Sequence, residues 1–262
     1  MISSTREAEL RIFAKQCVEA RRTATPITSF PAGVEPVTQE EANFAQDAIA
    51  ALIEPKGSAP ARAWKIGAPA PDATPAFGPM ISAWIVPDGS VLADKRIRLR
   101  GLEAEVAFKL GKALPPRATP YTRAEVIDAI ESCHPVIEEL EAAVPFPKDS
   151  PKLTANGDLG MHGGFVYGPA VANWQQIDLT KERVTLSIDG KVEVDRVASN
   201  SAGTDLLRML VYLANEGAAR TGGLEKGSWI TTGSWTGNTF AKAGQVAEVQ
   251  FANVGKVSVK FA

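Results

Sequence analysis

Gly101-Leu102-Glu103-Ala104-Glu105-Val106-Ala107-Phe108 is the stretch on which the fold and chemistry of this chain turn. It has the composition of a strand. Side chains at i and i+2 of a strand share a face. Glu103 and Glu105 therefore project together, while Leu102, Ala104 and Val106 point the other way. Two neighbouring carboxylates repel unless a cation or shared protons lie between them. Glu-x-Glu on its own also suits a solvated strand face. A third acid, Glu138, ends a second strand-like run, His134-Pro135-Val136-Ile137-Glu138. Three carboxylates brought together from two strands make a hard, all-oxygen donor set, suited to Mg²⁺ or Mn²⁺ far better than to zinc.

The bulk composition narrows the classes of function. The chain has 262 residues, 45% hydrophobic and 22% charged, enough for a folded protein with a sizeable core. Its net charge is −2 with both signs interspersed. No basic footprint for a polyanion exists, so no nucleic-acid partner is expected. Met1-Ile2-Ser3-Ser4-Thr5-Arg6-Glu7 lacks the basic-then-apolar layout of a secretory signal. No apolar run approaches the ~20 residues of a membrane span. The expectation is a cytoplasmic protein with no membrane partner. Cys17 and Cys133 lie far apart in helix-like sequence and are expected as free buried thiols. Two histidines, His134 and His162, are too few for a histidine-rich metal site. No nucleophile elbow, Walker sequence, Cys-x-x-Cys or dinucleotide fingerprint occurs.

Outward from the Glu-x-Glu strand, the chain divides into a helical start and a β-rich remainder. Leu10, Phe13, Ala14, Cys17 and Val18 recur at helical spacing and predict a helix over 5–22. Thr38-Gln39-Glu40-Glu41 is a capping-box start, opening a helix to about Ile53 before Pro55 and Gly57. Strands are predicted at 64–67, 81–86, 97–100, 102–110, 135–140, 165–167, 184–188, 191–194, 229–232, 246–251 and 257–261. Asp189-Gly190 is a strong hairpin signal between two of them. Helices are predicted at 121–133, with Thr122 and Glu125 as a capping box, and at 204–217. Residues 145–164 read as a long polar loop carrying Lys148, Lys152, Asn156, Asp158 and His162; a loop of that length is usually functional or disordered. The whole is α+β: a helical N-terminal cap over 1–60 and a β-rich catalytic domain over 61–262.

Several motifs in order resemble one family. Lys65-Ile66-Gly67, Glu103-Ala104-Glu105-Val106-Ala107-Phe108, Pro135-Val136-Ile137-Glu138, the helix with Tyr212-Leu213-Ala214-Asn215, the turn Thr232-Gly233-Ser234 and the ending Gly255-Lys256-Val257-Ser258-Val259-Lys260-Phe261 look like the 2-keto-4-pentenoate hydratase family of the fumarylacetoacetate hydrolase superfamily. The resemblance implies a mixed β-sandwich roll with a small helical N-terminal part. It implies one Mg²⁺ or Mn²⁺ held by Glu103, Glu105 and Glu138. It implies a small 2-oxo or 2-enol carboxylic acid as substrate, with water added to a 2-hydroxy-2,4-dienoate to give a 4-hydroxy-2-oxo acid. Decarboxylation of a 4-oxalocrotonate type of substrate is the alternative on the same scaffold, and a non-catalytic partner subunit is the third reading. The resemblance also implies a homo-oligomer, with a decarboxylase or aldolase of the same pathway as candidate partner.

Roles then attach to individual residues. Lys65, in an apolar strand, either snorkels or acts, as a proton carrier of lowered pKa near a cation or as a fixed positive partner for the substrate carboxylate. Gly67 leaves room for substrate near the backbone. Lys152 and Asn156 are the catalytic candidates of the long loop: Lys152 as partner of substrate or glutamate, Asn156 as donor to a substrate oxygen. Asp158 and His162 are weaker candidates for a base. Thr232, Gly233 and Ser234 form a possible anion nest for the substrate carboxylate. The chain departs from the family where Glu141 stands in place of an Asp, where Ala155 precedes Asn156, and over Ala198-Ser199-Asn200-Ser201-Ala202-Gly203.

Overall fold

The computed structural model describes residues 2–54, 62–145 and 150–262. Helix α1 (Ser4–Thr23) starts where the Ser3 hydroxyl accepts the Arg6 N–H and stops at Ala24, which turns left-handed with φ 56°. Helix α2 (Gln39–Ile53) starts at Thr38, whose hydroxyl accepts the Glu41 N–H at 3.2 Å. Then come β1 (Ala63–Gly67), β2 (Ala76–Met80), β3 (Ile85–Pro87), β4 (Val91–Leu92), β5 (Gly101–Leu110), α3 (Arg123–Ala129), β6 (Ile130–Leu140), α4 (Lys152–Gly157), β7 (His162–Tyr167), β8 (Arg183–Ile188), β9 (Lys191–Val197), α5 (Leu206–Asn215), α6 (Ala218–Thr221), β10 (Trp229–Thr231), β11 (Thr239–Phe240), β12 (Val246–Phe251) and β13 (Gly255–Phe261).

Among the described residues the strands form two sheets. The larger runs β2-β1-β10-β5-β6-β7-β3, with β11 also pairing β5, and the smaller runs β4-β13-β12-β8-β9. They curl around one apolar core. Leu102, Ala104, Val106 and Phe108 of β5, Ile137 of β6 and Ile230 of β10 enter it from the large sheet. Val249 and Phe251, Val257 and Val259, and Val184 and Leu186 enter from the small one, and Leu206, Leu210 and Leu213 of α5 close its side. A second cluster joins α1 and α2 to the body: Phe13, Cys17, Ala45 and Ile49 pack with Ile81, Ala143 and Leu159. This is the expected α+β roll with a helical N-terminal part. The predicted hairpin forms between β8 and β9, with Asp189 at φ 50° and Gly190 at φ 79° as its mirror-image turn demands.

Local expectations are corrected where long-range pairing overrides periodicity. The helix predicted to run to Cys133 ends at Ala129, because 130–133 extends β6 against Leu110 to Phe108 of β5. Cys133 is thus on a strand, and both cysteines are free and buried. Residues 97–100 form no strand, since the Arg98 and Leu99 N–H groups are taken by the Glu141 carboxylate. The 81–86 segment holds a 3₁₀ turn, Ser82–Trp84, before β3. The predicted long loop contains α4 and the start of β7. Lys148, Pro55, Gly57 and the expected boundary at residue 60 lie outside the described residues.

Candidate metal centre

Strands β5 and β6 are antiparallel neighbours, and their register sets Glu103 directly opposite Glu138, with Glu105 opposite Val136. All three side chains leave the sheet on the face away from the main core. One carboxylate oxygen from each lies within 4.8 Å of the others. Glu105 and Glu138 are buried and Glu103 is partly buried. Strand β10 lies on the other side of β5, and β1 beyond it, with Thr231 paired to Ala107 and Lys65 paired to Thr231. Four adjacent strands thus deliver Lys65, Thr231, the Glu-x-Glu pair and Glu138 to one patch.

The bonds within the patch are specific. Lys65 Nζ donates to Glu138 Oε1 at 2.7 Å and to the Gly160 carbonyl at 2.9 Å. His162 Nδ1 lies 3.2 Å from the same Oε1. Glu105 Oε2 accepts from the Thr231 hydroxyl and from the Gly233 N–H at 2.9 Å. Ser234 hydrogen-bonds Glu103. Three carboxylates against one ammonium leave two negative charges over, the charge of a divalent ion. The metal-free site meets this excess by holding protons. Burial, then Glu138, pushes Glu103 up to about 7, and burial with Glu138 and Glu103 raises Glu105 well above the ordinary carboxylate range. Burial also opposes ionisation of Glu138, but Lys65 and His162 outweigh it and hold it down at about 2. Burial depresses Lys65, yet Glu138, Glu103 and Glu105 reverse the sign, so the ammonium is stabilised. The lowering expected beside a cation is not the metal-free state. Burial pushes His162 below its usual value.

The residues singled out in the sequence fall at different distances from this patch. Gly67 sits at the end of β1, where a Cβ would meet the Gly233 backbone at 3.8 Å. Gly233 has φ +87° and spends its N–H on Glu105. The Thr232 hydroxyl turns away and donates to the Val106 carbonyl at 2.6 Å, while Ser234 Oγ accepts from the Gly237 N–H at 2.9 Å. The turn's donors therefore hold carboxylates and backbone in place. Lys152 is exposed at the start of α4. Asn156 donates to the Gln39 side chain at 2.9 Å, and its Oδ1, with Lys65 Cε and Gln46 Nε2, surrounds the space a Gly160 side chain would fill. Asp158 is not a free base: it accepts from Arg21 Nε at 2.9 Å and the Ala143 N–H at 2.6 Å. His134 bonds the Gly168 carbonyl and Ser132, away from the carboxylates. Glu141 takes the N–H groups of Arg98, Leu99 and Ala142.

Sequence reasoning passed over Thr231, Asn200 and Gln46. Thr231 joins the patch through the β1–β10 and β10–β5 pairings, which no spacing in the sequence fixes. Asn200, in a segment that fits the family poorly, donates to the Thr232 and Gly233 carbonyls at 3.0 and 2.8 Å and so fixes the turn at Glu105. Gln46 of α2 donates to the Asn156 carbonyl at 2.6 Å and accepts from Arg220 at 2.8 Å. No local signal announces either.

Residues 56–262 match the sequence profile described as fumarylacetoacetate (FAA) hydrolase C-terminal. A 4-oxalocrotonate decarboxylase of Pseudomonas putida is 27% identical over 190 residues, 72% of this chain and 70% of the relative. A 2-oxo-hept-4-ene-1,7-dioate hydratase of Escherichia coli is 25% identical over 192 residues, 71% of each chain. Among solved structures, 4-oxalocrotonate decarboxylase from Pseudomonas putida G7, complexed with magnesium and adipate, superposes with a TM-score of 0.83 over the whole of both chains at 22% identity. Sequence profile and two-sheet roll agree: the chain belongs to the fumarylacetoacetate (FAA) hydrolase C-terminal family.

Proposed function

We propose that the protein is a divalent-metal-dependent hydratase that adds water to a small 2-hydroxy-2,4-dienoate, giving a 4-hydroxy-2-oxo acid. The observation that carries the reading is the uncompensated carboxylate trio with a protonated lysine 2.7 Å from one member. Glu103, Glu105 and Glu138 would hold Mg²⁺ or Mn²⁺; their oxygens are hard donors and their excess charge matches the ion. When bound, the cation supplies Lewis-acid polarisation of the 2-oxygen and carboxylate of the substrate. The protein's residues supply the rest. Gly67 and Gly233 approach each other closely without side chains, a Cβ on Gly67 reaching the Gly233 backbone at 3.8 Å. Lys65, kept charged by its carboxylate neighbours, would hand a proton to the carbon chain and take one back from the 2-hydroxyl, so that the dienol becomes an unsaturated 2-oxo acid. Water then adds to the far alkene. Similarity to a hydratase of a 2-oxo dicarboxylate supports this reading.

Equal similarity to 4-oxalocrotonate decarboxylases favours a second reading, in which the same residues assist loss of carbon dioxide. One experiment separates them. Purified protein with Mn²⁺ is given 2-hydroxypenta-2,4-dienoate, and separately 4-oxalocrotonate. Dienol consumption coupled to 4-hydroxy-2-oxopentanoate is expected. Carbon dioxide release from the second substrate alone would replace hydration by decarboxylation. Metal uptake with neither turnover would leave the non-catalytic subunit.

A further inference from the structure

We propose that His162 is a positioning residue: it donates from Nδ1 to Glu138 Oε1 and thereby presents Oε2 of Glu138 to the cation. This rests on the metal reading above and adds a residue to it.

The backbone is built to aim this ring. Strand β7 pairs Phe165 with Glu138 and Gly164 with Glu139, but His162, not Gly163, opposes Leu140. The extra residue is a β-bulge. Without it, alternation would turn residue 162 to the face opposite Glu138, because a one-residue slip flips every side chain. With it, His162 shares the carboxylate face. The bulge is possible because residue 163 is glycine. A Cβ there would lie 2.3 Å from Glu139 Oε2, 2.6 Å from Glu141 Cβ and 2.9 Å from the Glu141 backbone nitrogen.

The ring is also held from its other sides. It is fully buried. It stacks on Trp84 with centroids 5.8 Å apart and planes at 28°. The Arg96 guanidinium lies 3.9 Å from the centroid of that same indole and donates to the Gly163 carbonyl. Arg21 Nη1 donates to the His162 carbonyl at 2.9 Å. Among the described residues, the buried Nε2 has no hydrogen-bond partner. Since a carboxylate only accepts, Nδ1 carries the hydrogen and Nε2 keeps a bare lone pair. Lys65 Nζ, at 2.7 Å, and His162 Nδ1, at 3.2 Å, use one oxygen of Glu138. The other oxygen is left to the metal. A hydrogen bond from an outer partner that fixes which oxygen a carboxylate ligand offers is a known means of tuning metal affinity.

The test compares wild type, His162→Phe and His162→Asn by calorimetric Mn²⁺ titration, with circular dichroism to establish folding. Phenylalanine keeps the stacked volume and removes the donor. Asparagine can set an amide N–H near the Nδ1 position. Folded H162F is expected to bind Mn²⁺ about 10–100-fold more weakly, and H162N to recover most of the loss. Folded H162F binding within twofold of wild type overturns the inference alone. Wild type that takes up no Mn²⁺ overturns the metal reading and this one with it. Should H162F not fold, nitrogen NMR of histidine-labelled wild type decides. A protonated Nδ1 beside a bare Nε2 is expected; the opposite tautomer overturns the assignment.

Discussion

Two groups of buried acids lie within a few residues of each other and resolve their charge in opposite ways. Glu141 and Asp158 are balanced within the protein. Glu141 takes the Leu99 and Ala142 N–H groups at 2.7 and 2.8 Å and the Arg98 guanidinium at 3.3 Å. Asp158 pairs with Arg21, both side chains 2% exposed, and takes the Ala143 N–H. Among the described residues, Glu103, Glu105 and Glu138 share one lysine. Glu139, between the two groups in sequence, shows a third outcome: burial and then Glu141 push it up to about 8, and neither oxygen has a hydrogen-bond partner among the described residues. The difference teaches that a buried carboxylate does not by itself mark a site. An acid cluster whose counter-charge the chain does not provide does.

The sharpest way to break this contrast is to remove one acid from each group. Asp158→Ala leaves the Arg21 guanidinium charged and buried, which is expected to cost about 3–5 kcal/mol of folding stability. Urea unfolding measures it. Mn²⁺ affinity of the folded protein should stay within about threefold of wild type; a collapse of both together would erase the distinction between the groups.

Glu105→Gln tests the other side. Mn²⁺ affinity is expected to fall by more than about 100-fold, beyond the roughly 10–100-fold that outer partners control. Without metal the variant should melt close to wild type, because Glu105 is held protonated there and the glutamine oxygen keeps the Thr231 and Gly233 hydrogen bonds. Calorimetric titration and a thermal melt read the two quantities. Undiminished metal uptake would mean that the trio is not the binding site.

Acidity separates the groups more gently. Glu103 sits at about 7 in the metal-free fold against an ordinary 4.5. Between those values the native state holds more protons than the unfolded chain, so stability falls as pH rises. The share of that loss due to Glu103 from about pH 5 to pH 7 is expected to be roughly 2 kcal/mol without metal, and saturating Mn²⁺ should remove that share and leave the part due to Glu139. Urea titrations at both pH values, with and without Mn²⁺, check the sign. A metal-free protein that gains stability over that window would contradict the electrostatics of the trio.

How much of this could be read in the sequence depends on how local each cause is. Glu103 and Glu105 share a face by strand parity alone, and Leu102, Ala104 and Val106 enter the core as that parity requires. The hairpin at Asp189-Gly190 and the caps at Thr38 and Thr122 follow from backbone chemistry within four residues. Glu138 joins the pair only through the β5–β6 register, which sequence order within a family suggests but spacing does not fix. The bulge at Gly163 reverses a parity that alternation would have set, so His162 reads as an ordinary loop histidine until the ladder is seen. Asp158 reads as a free base until Arg21, 137 residues away, is found against it. The 121–133 helix overran its end because β6 competes for its last residues.

Gln46 lies on α2, ahead of the profile-matched stretch, yet it props the Asn156 carbonyl and flanks Gly160, whose own carbonyl receives the Lys65 proton donor. Lys65 is therefore steadied from a helix outside the profile-matched body. On the proposed function, a substitution in that helix would alter how Lys65 is held while every glutamate stays fixed, and an inventory of carboxylate positions alone would record no change.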